Sequence, residues 1–215
     1  GSGLVGSEMC IRDSTVTGAS LELDKGEIMS IVGESGSGKT TVIRAIMGCL
    51  PGAGRVSRGS IIFDGKDVLQ NTPDEWRKMY GSEMSMIFQD SGNMINPIRR
   101  IGQQFIDYVQ AHQPDKSKDQ AYKMCCDMLT NVRLPNPENI MNSYPFELSG
   151  GMRQRVGIAM AMIFSPKILL ADEPTSALDV TTQAQIIRQI VDIRDEYCLL
   201  YTSPSPRDRS LSRMP

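Results

Sequence analysis

Apolar positions along this chain fall into three patterns. The first is short and continuous: IMSIV at 28–32 and ILLA at 168–171. Strands buried on both faces of a parallel sheet read this way. The second alternates around turns. ASLELDKGEIMSIVG and SRGSIIFDGKDV switch between apolar and polar on either side of Lys25-Gly26 and Asp64-Gly65, which predicts a small antiparallel sheet. The third repeats at helical spacing: Val42, Ile43, Ala45, Ile46 and Leu50 follow a glycine-rich loop. From about 92 to 152 the pattern is helical and enriched in Met and Gln. SKDQAYKMCCDML within it opens on a Ser117/Gln120 capping box and carries one stripe of Ala121, Met124, Cys125, Met128 and Leu129. A last helix is predicted in VTTQAQIIRQIVDIRDEY. The stretch EYCLLYTSPSPRDRS at 196–210 shows neither helix nor strand pattern. The longest apolar run, VGIAMAMIF at 156–164, suits a buried helix and falls short of the roughly 18 residues of a membrane span.

The glycine-rich loop carries the first chemistry. Gly33-Glu34-Ser35-Gly36-Ser37-Gly38-Lys39-Thr40, followed by Thr41, has two glycines five apart and then Lys and Thr. It stands between a predicted strand and a predicted helix. Glycine lets backbone N–H groups close around phosphate oxygens, and the helix dipole adds positive potential. Lys39 is expected to reach the β- and γ-phosphates of a nucleotide, with the Thr40 hydroxyl on Mg²⁺. The acidic partner is in KILLADEPTSALDV, where a buried strand ends abruptly in Asp172 and Glu173. That is the edge of a parallel sheet where ligands bind. Asp172 is expected to bind Mg²⁺ through its water shell, and Glu173 to orient or deprotonate an attacking water.

YPFELSGGMRQRVGIAMA at 144–161 adds a second anion site, a Ser149-Gly150-Gly151 turn running into an apolar helix. The order of phosphate loop, FQD, LSGGMRQRV and LLADEPTSALD resembles the ATP-binding subunit of an ABC transporter. Finer motifs (GESGSGKT, SGGMRQRVGIAMA and ADEPTSALDVTTQAQII) resemble the dipeptide, oligopeptide and nickel importer branch. The resemblance implies a P-loop NTPase (RecA-like) α/β core with a parallel sheet, a small antiparallel β subdomain and an inserted helical subdomain. It implies ATP and Mg as ligands, and two copies packed head to tail. In such a dimer Ser149, Gly150, Gly151 and Gln154 of one copy close on the nucleotide held by the other. Gln89 then reaches Mg²⁺ and the attacking water, and Asp179 lies in the loop joining the copies. Integral membrane permease subunits, and indirectly a substrate-binding protein, are the further partners; the location implied is peripheral, on the cytoplasmic face of the membrane. One departure from the branch is DSGNMINP, where it usually carries a proline and a Thr-Ser-Leu run before Asn-Pro.

Composition narrows the alternatives. A net charge of −2 gives no basic footprint, so no nucleic-acid partner is expected. The cysteines show no metal-finger spacing, and at least one of Cys125 and Cys126 is expected in the core. The 14 methionines read as core filler, and His112 as a surface residue. Two further functions stay open at this level: a soluble ABC ATPase uncoupled from transport, and a nucleotide-binding module without turnover.

The ends read differently. DNA that encodes residues 4–14 has a reverse complement that encodes Cys-Leu-Leu-Tyr-Thr-Ser-Pro-Ser-Pro-Arg, which is residues 198–207. Both flanks resemble one translated sequencing adapter in opposite orientations. The expected division is 1–14 and 198–215 non-native, and 15–197 an ABC ATPase fragment incomplete at both ends. Its core is 15–91 and 153–197, with 92–152 helical. The family's histidine, one helix and one strand beyond Glu173, is not in the sequence, so the chain is expected to bind ATP but hydrolyse it poorly.

Overall fold

The computed structural model describes residues 16–34, 36–89, 94–173 and the backbone of 198–203. Its centre is a four-stranded parallel sheet of β1 (Ile28–Val32), β4 (Met84–Ile87), β5 (Ile168–Ala171) and β6 (Cys198–Ser203), in the order β1-β6-β5-β4. Two apolar clusters cover its faces, and side-chain alternation sorts the strand residues between them. Leu169 and Ala171 of β5 join one cluster, Leu170 the other. Met84 and Met86 of β4 share the face of Leu170, and Ile87 lies opposite. β4 is buried throughout, Ser85 included, as a strand covered on both faces must be.

On one face lies α1 (Lys39–Ile46), whose Ile43 and Ile46 pack under the sheet. The β2–β3 hairpin (Ile62–Phe63, Lys66–Asp67) and α2 (Pro73–Met79) extend that side. The hairpin turns at Asp64-Gly65, both with positive φ (51° and 79°), the conformation of a tight primed turn. A Thr72/Glu75 capping box starts α2. Trp76 then packs so close to Gly48, just past α1, that a Cβ there would stand 2.6 Å from its ring.

On the other face sits the helical layer: α3 (Ile101–His112), α4 (Lys118–Asn131), α5 (Pro137–Asn142) and α6 (Gly150–Met162). The Ser117/Gln120 box caps α4, and its stripe faces inward, with Ala121, Cys125 and Leu129 fully buried. Burying Phe105 and Leu129 stabilises this layer by about 1.5–3 kcal/mol each. α6 runs unbroken through 152–153 and packs on β4, so helical layer and core share a helix.

Four expectations are corrected. The segment 198–203, expected to carry no strand, is β6 and occupies the slot between β1 and β5. Leu199, Leu200, Tyr201 and Thr202 have the β-propensity to fill an open parallel slot, whatever their origin. β1, expected to be fully buried, is half-buried with Val32 at 56% exposed, because only β6 pairs with it among the described residues. Residues 19–24, expected as a strand, form none; Asp24 and Glu27 close a turn, and no described strand lies alongside to supply a ladder.

The fourth concerns His112, expected to be a surface residue, which is half-buried and held by tertiary contacts. Its ring packs between Tyr108 and Phe164, at 4.6 and 4.8 Å between centroids. Its nitrogens face the carbonyls of Tyr108 and Tyr80, each at 3.1 Å. It therefore pins the end of α3 to the core beside Gly81. A polar flank and a nearby proline did not reveal that contact. Cys125 is buried as expected, and burial, aided by the neighbouring Cys126, pushes its thiol up to about 12. Among the described residues no three or more His, Cys, Asp or Glu side chains gather as a metal site, and no described helix is long and apolar enough to cross a membrane.

Candidate functional site

Gly38, at φ 90°, turns the chain into α1. No side chain caps that helix and no acidic residue occupies its first turn, so its N–H groups stay available to an anion. Gly33 packs closely on the loop: a Cβ there would lie 2.7 Å from Ser37 Oγ, which would have to rotate away. Lys39 is 6% exposed and folds back over the loop, where its Nζ donates to Gly33 O at 2.8 Å and Glu34 O at 2.9 Å. This ammonium is desolvated, paired with weak acceptors and positioned to exchange them for phosphate oxygens.

The acidic strand end meets the loop directly. The Thr40 hydroxyl donates to Asp172 Oδ1 at 2.9 Å, joining residues 132 positions apart. Asp172 is 4% exposed, and its N–H donates to Ile87 O at 2.9 Å. Glu173 follows at φ 46°, a left-handed conformation costing a side-chain-bearing residue about 1–2 kcal/mol. Strain of this kind persists where the surroundings enforce it, and it concentrates at functional sites. Glu173 Oε2 accepts a 3.0 Å bond from Gln89 Nε2 across 84 residues. Gly36, Gly38, Lys39, Thr40, Thr41, Gln89 and Glu173 line one cavity of about 230 Å³.

The Ser149 turn is not part of that lining. Ser149 caps α6, its Oγ accepting from Met152 N at 3.3 Å. A Cβ on Gly150 would meet nothing within 4 Å, so this chain's own packing does not demand glycine there. Gln154, expected at the same open face, is 4% exposed and belongs to the supporting layer. Ser35 and Asp179 lie outside the described residues. Arg153, not singled out in the sequence, donates to Leu148 O at 2.7 Å and so holds the turn from behind. Its place within LSGGMRQR was the available signal.

The model of the ABC transporter family matches residues 16–176. The chain belongs to that family. Among curated ABC proteins it is 46% identical over 180 residues to the oligopeptide transport ATP-binding protein OppD of Bacillus subtilis (strain 168), covering 83% of this chain and 50% of the relative. To OppD of Escherichia coli (strain K12) it is 43% identical over 184 residues, covering 86% and 54%. To the dipeptide transport ATP-binding protein DppD of Lactococcus lactis subsp. cremoris (strain MG1363) it is 41% identical over 180 residues, covering 84% and 52%. The chain thus spans about half the length of these relatives. Among solved structures it resembles the dimeric ABC transporter cassette MJ0796, with a TM-score of 0.76 and 26% identity, covering 90% of this chain and 81% of that one. A post-hydrolysis dimer of the same cassette, bound to ADP and Pi, gives a TM-score of 0.75 at 25% identity over the same shares. The P-loop core with its parallel sheet and small antiparallel hairpin is therefore the ABC cassette fold.

Proposed function

We propose that this chain binds MgATP as part of the subunit that powers an ABC importer of di- and oligopeptides. The observation that carries the reading is the 2.9 Å bond between Thr40 Oγ1 and Asp172 Oδ1 at the mouth of the glycine loop. It gathers two hard oxygen ligands where a nucleotide's phosphates would sit. Mg²⁺ takes oxygen ligands together with waters and substrate phosphates. The residues fit it: the Thr40 hydroxyl and the Gln89 side-chain carbonyl are oxygen donors on this cavity, and the Asp172 carboxylate is hydrogen-bonded to Thr40 beside it. When bound, the ion would neutralise charge on the phosphates.

The chain's own groups do the rest. Lys39 trades the Gly33 and Glu34 carbonyls for phosphate oxygens, and the first N–H groups of α1 hold the anion. Glu173, oriented by its strained backbone and by Gln89, receives the proton of the attacking water. Two copies pair head to tail, with Ser149, Gly150 and Gly151 of one meeting the nucleotide of the other. The uncrowded Gly150 and the separation of the Ser149 turn from the cavity support that pairing, as do the MJ0796 dimers. The peptide cargo rests on the relatives' names, and with it come permease partners and a peripheral place on the cytoplasmic membrane face.

Single-turnover hydrolysis tests the assignment. Glu173→Gln is expected to bind MgATP as the parent does and to hydrolyse it at least about 100-fold more slowly. Equal rates in parent and variant would remove Glu173 from the role of base.

A further inference from the structure

Gln104, on the first turn of α3, makes more polar contacts than an ordinary surface amide. Its Oε1 accepts from Asn96 N at 2.9 Å. Its Nε2 donates to Asn96 O at 3.0 Å, to Arg99 O at 2.9 Å and, more weakly, to Arg100 O at 3.4 Å. One side chain therefore satisfies backbone groups across 96–100, the segment that leads from the Gln89 strand into the helical layer. Ile98, 81% exposed, contributes no burial to hold that segment. Polar contacts take over: Asn96 Oδ1 accepts from Ile98 N at 3.1 Å, and Arg99 pairs with Asp107 at 2.6 Å.

The segment ends on a second set of contacts. The Arg100 guanidinium lies 5.7 Å over the Tyr144 ring, and Ile101 N donates to Ser143 O at 2.9 Å. Tyr144 in turn stacks on Phe146 at 5.4 Å, and its N–H donates to Glu147 Oε2 at 2.7 Å. Two residues further on are Leu148, gripped by Arg153, and Ser149.

We propose that Gln104 is a positioning residue: by clamping 96–100 it fixes Arg100 on Tyr144, and so holds the turn that presents Ser149 and Gly150. The mechanical part stands on these contacts alone; its consequence for catalysis rests on the proposed nucleotide function. Contiguity does not establish coupling, so the test must read both ends of the network.

Hydrogen exchange by mass spectrometry on the full chain does so. Gln104→Met, similar in length and without polar atoms, is expected to speed amide exchange about tenfold in 96–101 and also in 143–149, leaving α1 and β4 unchanged. Arg100→Ala, at an exposed position, should speed 143–149 while the Gln104 clamp on Asn96 persists. It keeps the proposal testable if Gln104→Met fails to fold. The proposal is overturned if the effect of Gln104→Met stays within 96–101 or spreads uniformly over the chain. It is equally overturned if Arg100→Ala leaves 143–149 unchanged. MgATP titration of the same samples separates the two readings: a parent that does not bind nucleotide refutes the function and leaves the exchange result to decide the clamp.

Discussion

Gly81→Ala measures how firmly the helical layer is pinned to the parallel-sheet core. Gly81 sits at φ 80°, and a Cβ built there would lie 2.6 Å from Tyr108 Oη and 2.9 Å from His112 Nε2. Two costs add. A left-handed alanine costs about 1–2 kcal/mol. Displacing the two rings costs roughly another 1–2 kcal/mol, because His112 gives up its 3.1 Å contact with Tyr80 O and its packing on Phe164. Gly65→Ala is the control, since Gly65 has nearly the same φ, 79°, and nothing within 4 Å of its Cβ position. It carries the first cost without the second. Urea denaturation should therefore place Gly81→Ala about 1.5 kcal/mol below Gly65→Ala, or roughly 3–6 °C apart in Tm for a domain of this size. Agreement of the two variants within about 0.5 kcal/mol would refute the reasoning, because the His112 contact would then bear no load.

Thiol chemistry should follow burial. Peptide mapping after treatment with an aromatic disulfide at pH 8 is expected to find Cys49 modified well before Cys125, whose thiol is pushed to about 12 and stays uncharged; labelling of native Cys125 at the rate of Cys49 would contradict its buried place. Glu75 carries a pH signature. Hydrogen bonds from Lys66 and from the Thr72 backbone and hydroxyl lower its carboxyl from an ordinary 4.5 to about 2, so any contribution to stability is complete above 4.5 and lost as pH falls toward 2. Carboxyl NMR should show that low midpoint in the parent and a higher but still lowered one in Lys66→Met, where the two Thr72 hydrogen bonds remain. Thr40→Val is expected to weaken MgATP binding about tenfold while barely changing metal-free ATP binding, read by titration with and without Mg²⁺.

Periodicity and loop chemistry made much of this molecule legible in the sequence. Two continuous apolar runs became β1 and β5, and the stripe at Ala121, Cys125 and Leu129 became the inner face of α4. Glycine spacing marked the turn into α1, and the strand ending in Asp172 marked the carboxylate that meets it. Thr40 and Asp172 were each expected near one metal ion; their direct 2.9 Å hydrogen bond was not foreseen. What stayed hidden depends on tertiary neighbours. His112 read as a surface residue because its partners, Tyr80 and Phe164, lie 32 and 52 positions away. β6 was missed because CLLYTS runs straight into the Pro- and Ser-rich SPSPRDRS, and the slot it fills is set by strands far away in sequence. Residues 19–24 alternate like a strand but lack a neighbour to pair with. Gln104 and Arg153 act on backbone carbonyls, and a sequence does not say which carbonyls a polar side chain will meet.

Isothermal titration of the full chain with MgATP, against Lys39→Ala, tests the central claim most directly. Lys39 Nζ already holds two carbonyl oxygens at 2.8 and 2.9 Å in a nearly buried position, and those contacts are what it exchanges for phosphate. Two charge-assisted hydrogen bonds set the expected loss at about 100-fold in affinity. The account predicts saturable binding by the parent, one nucleotide per chain, and that loss in the variant. Parent and variant binding MgATP equally well, or neither binding it, would contradict the assignment of this loop as a nucleotide site.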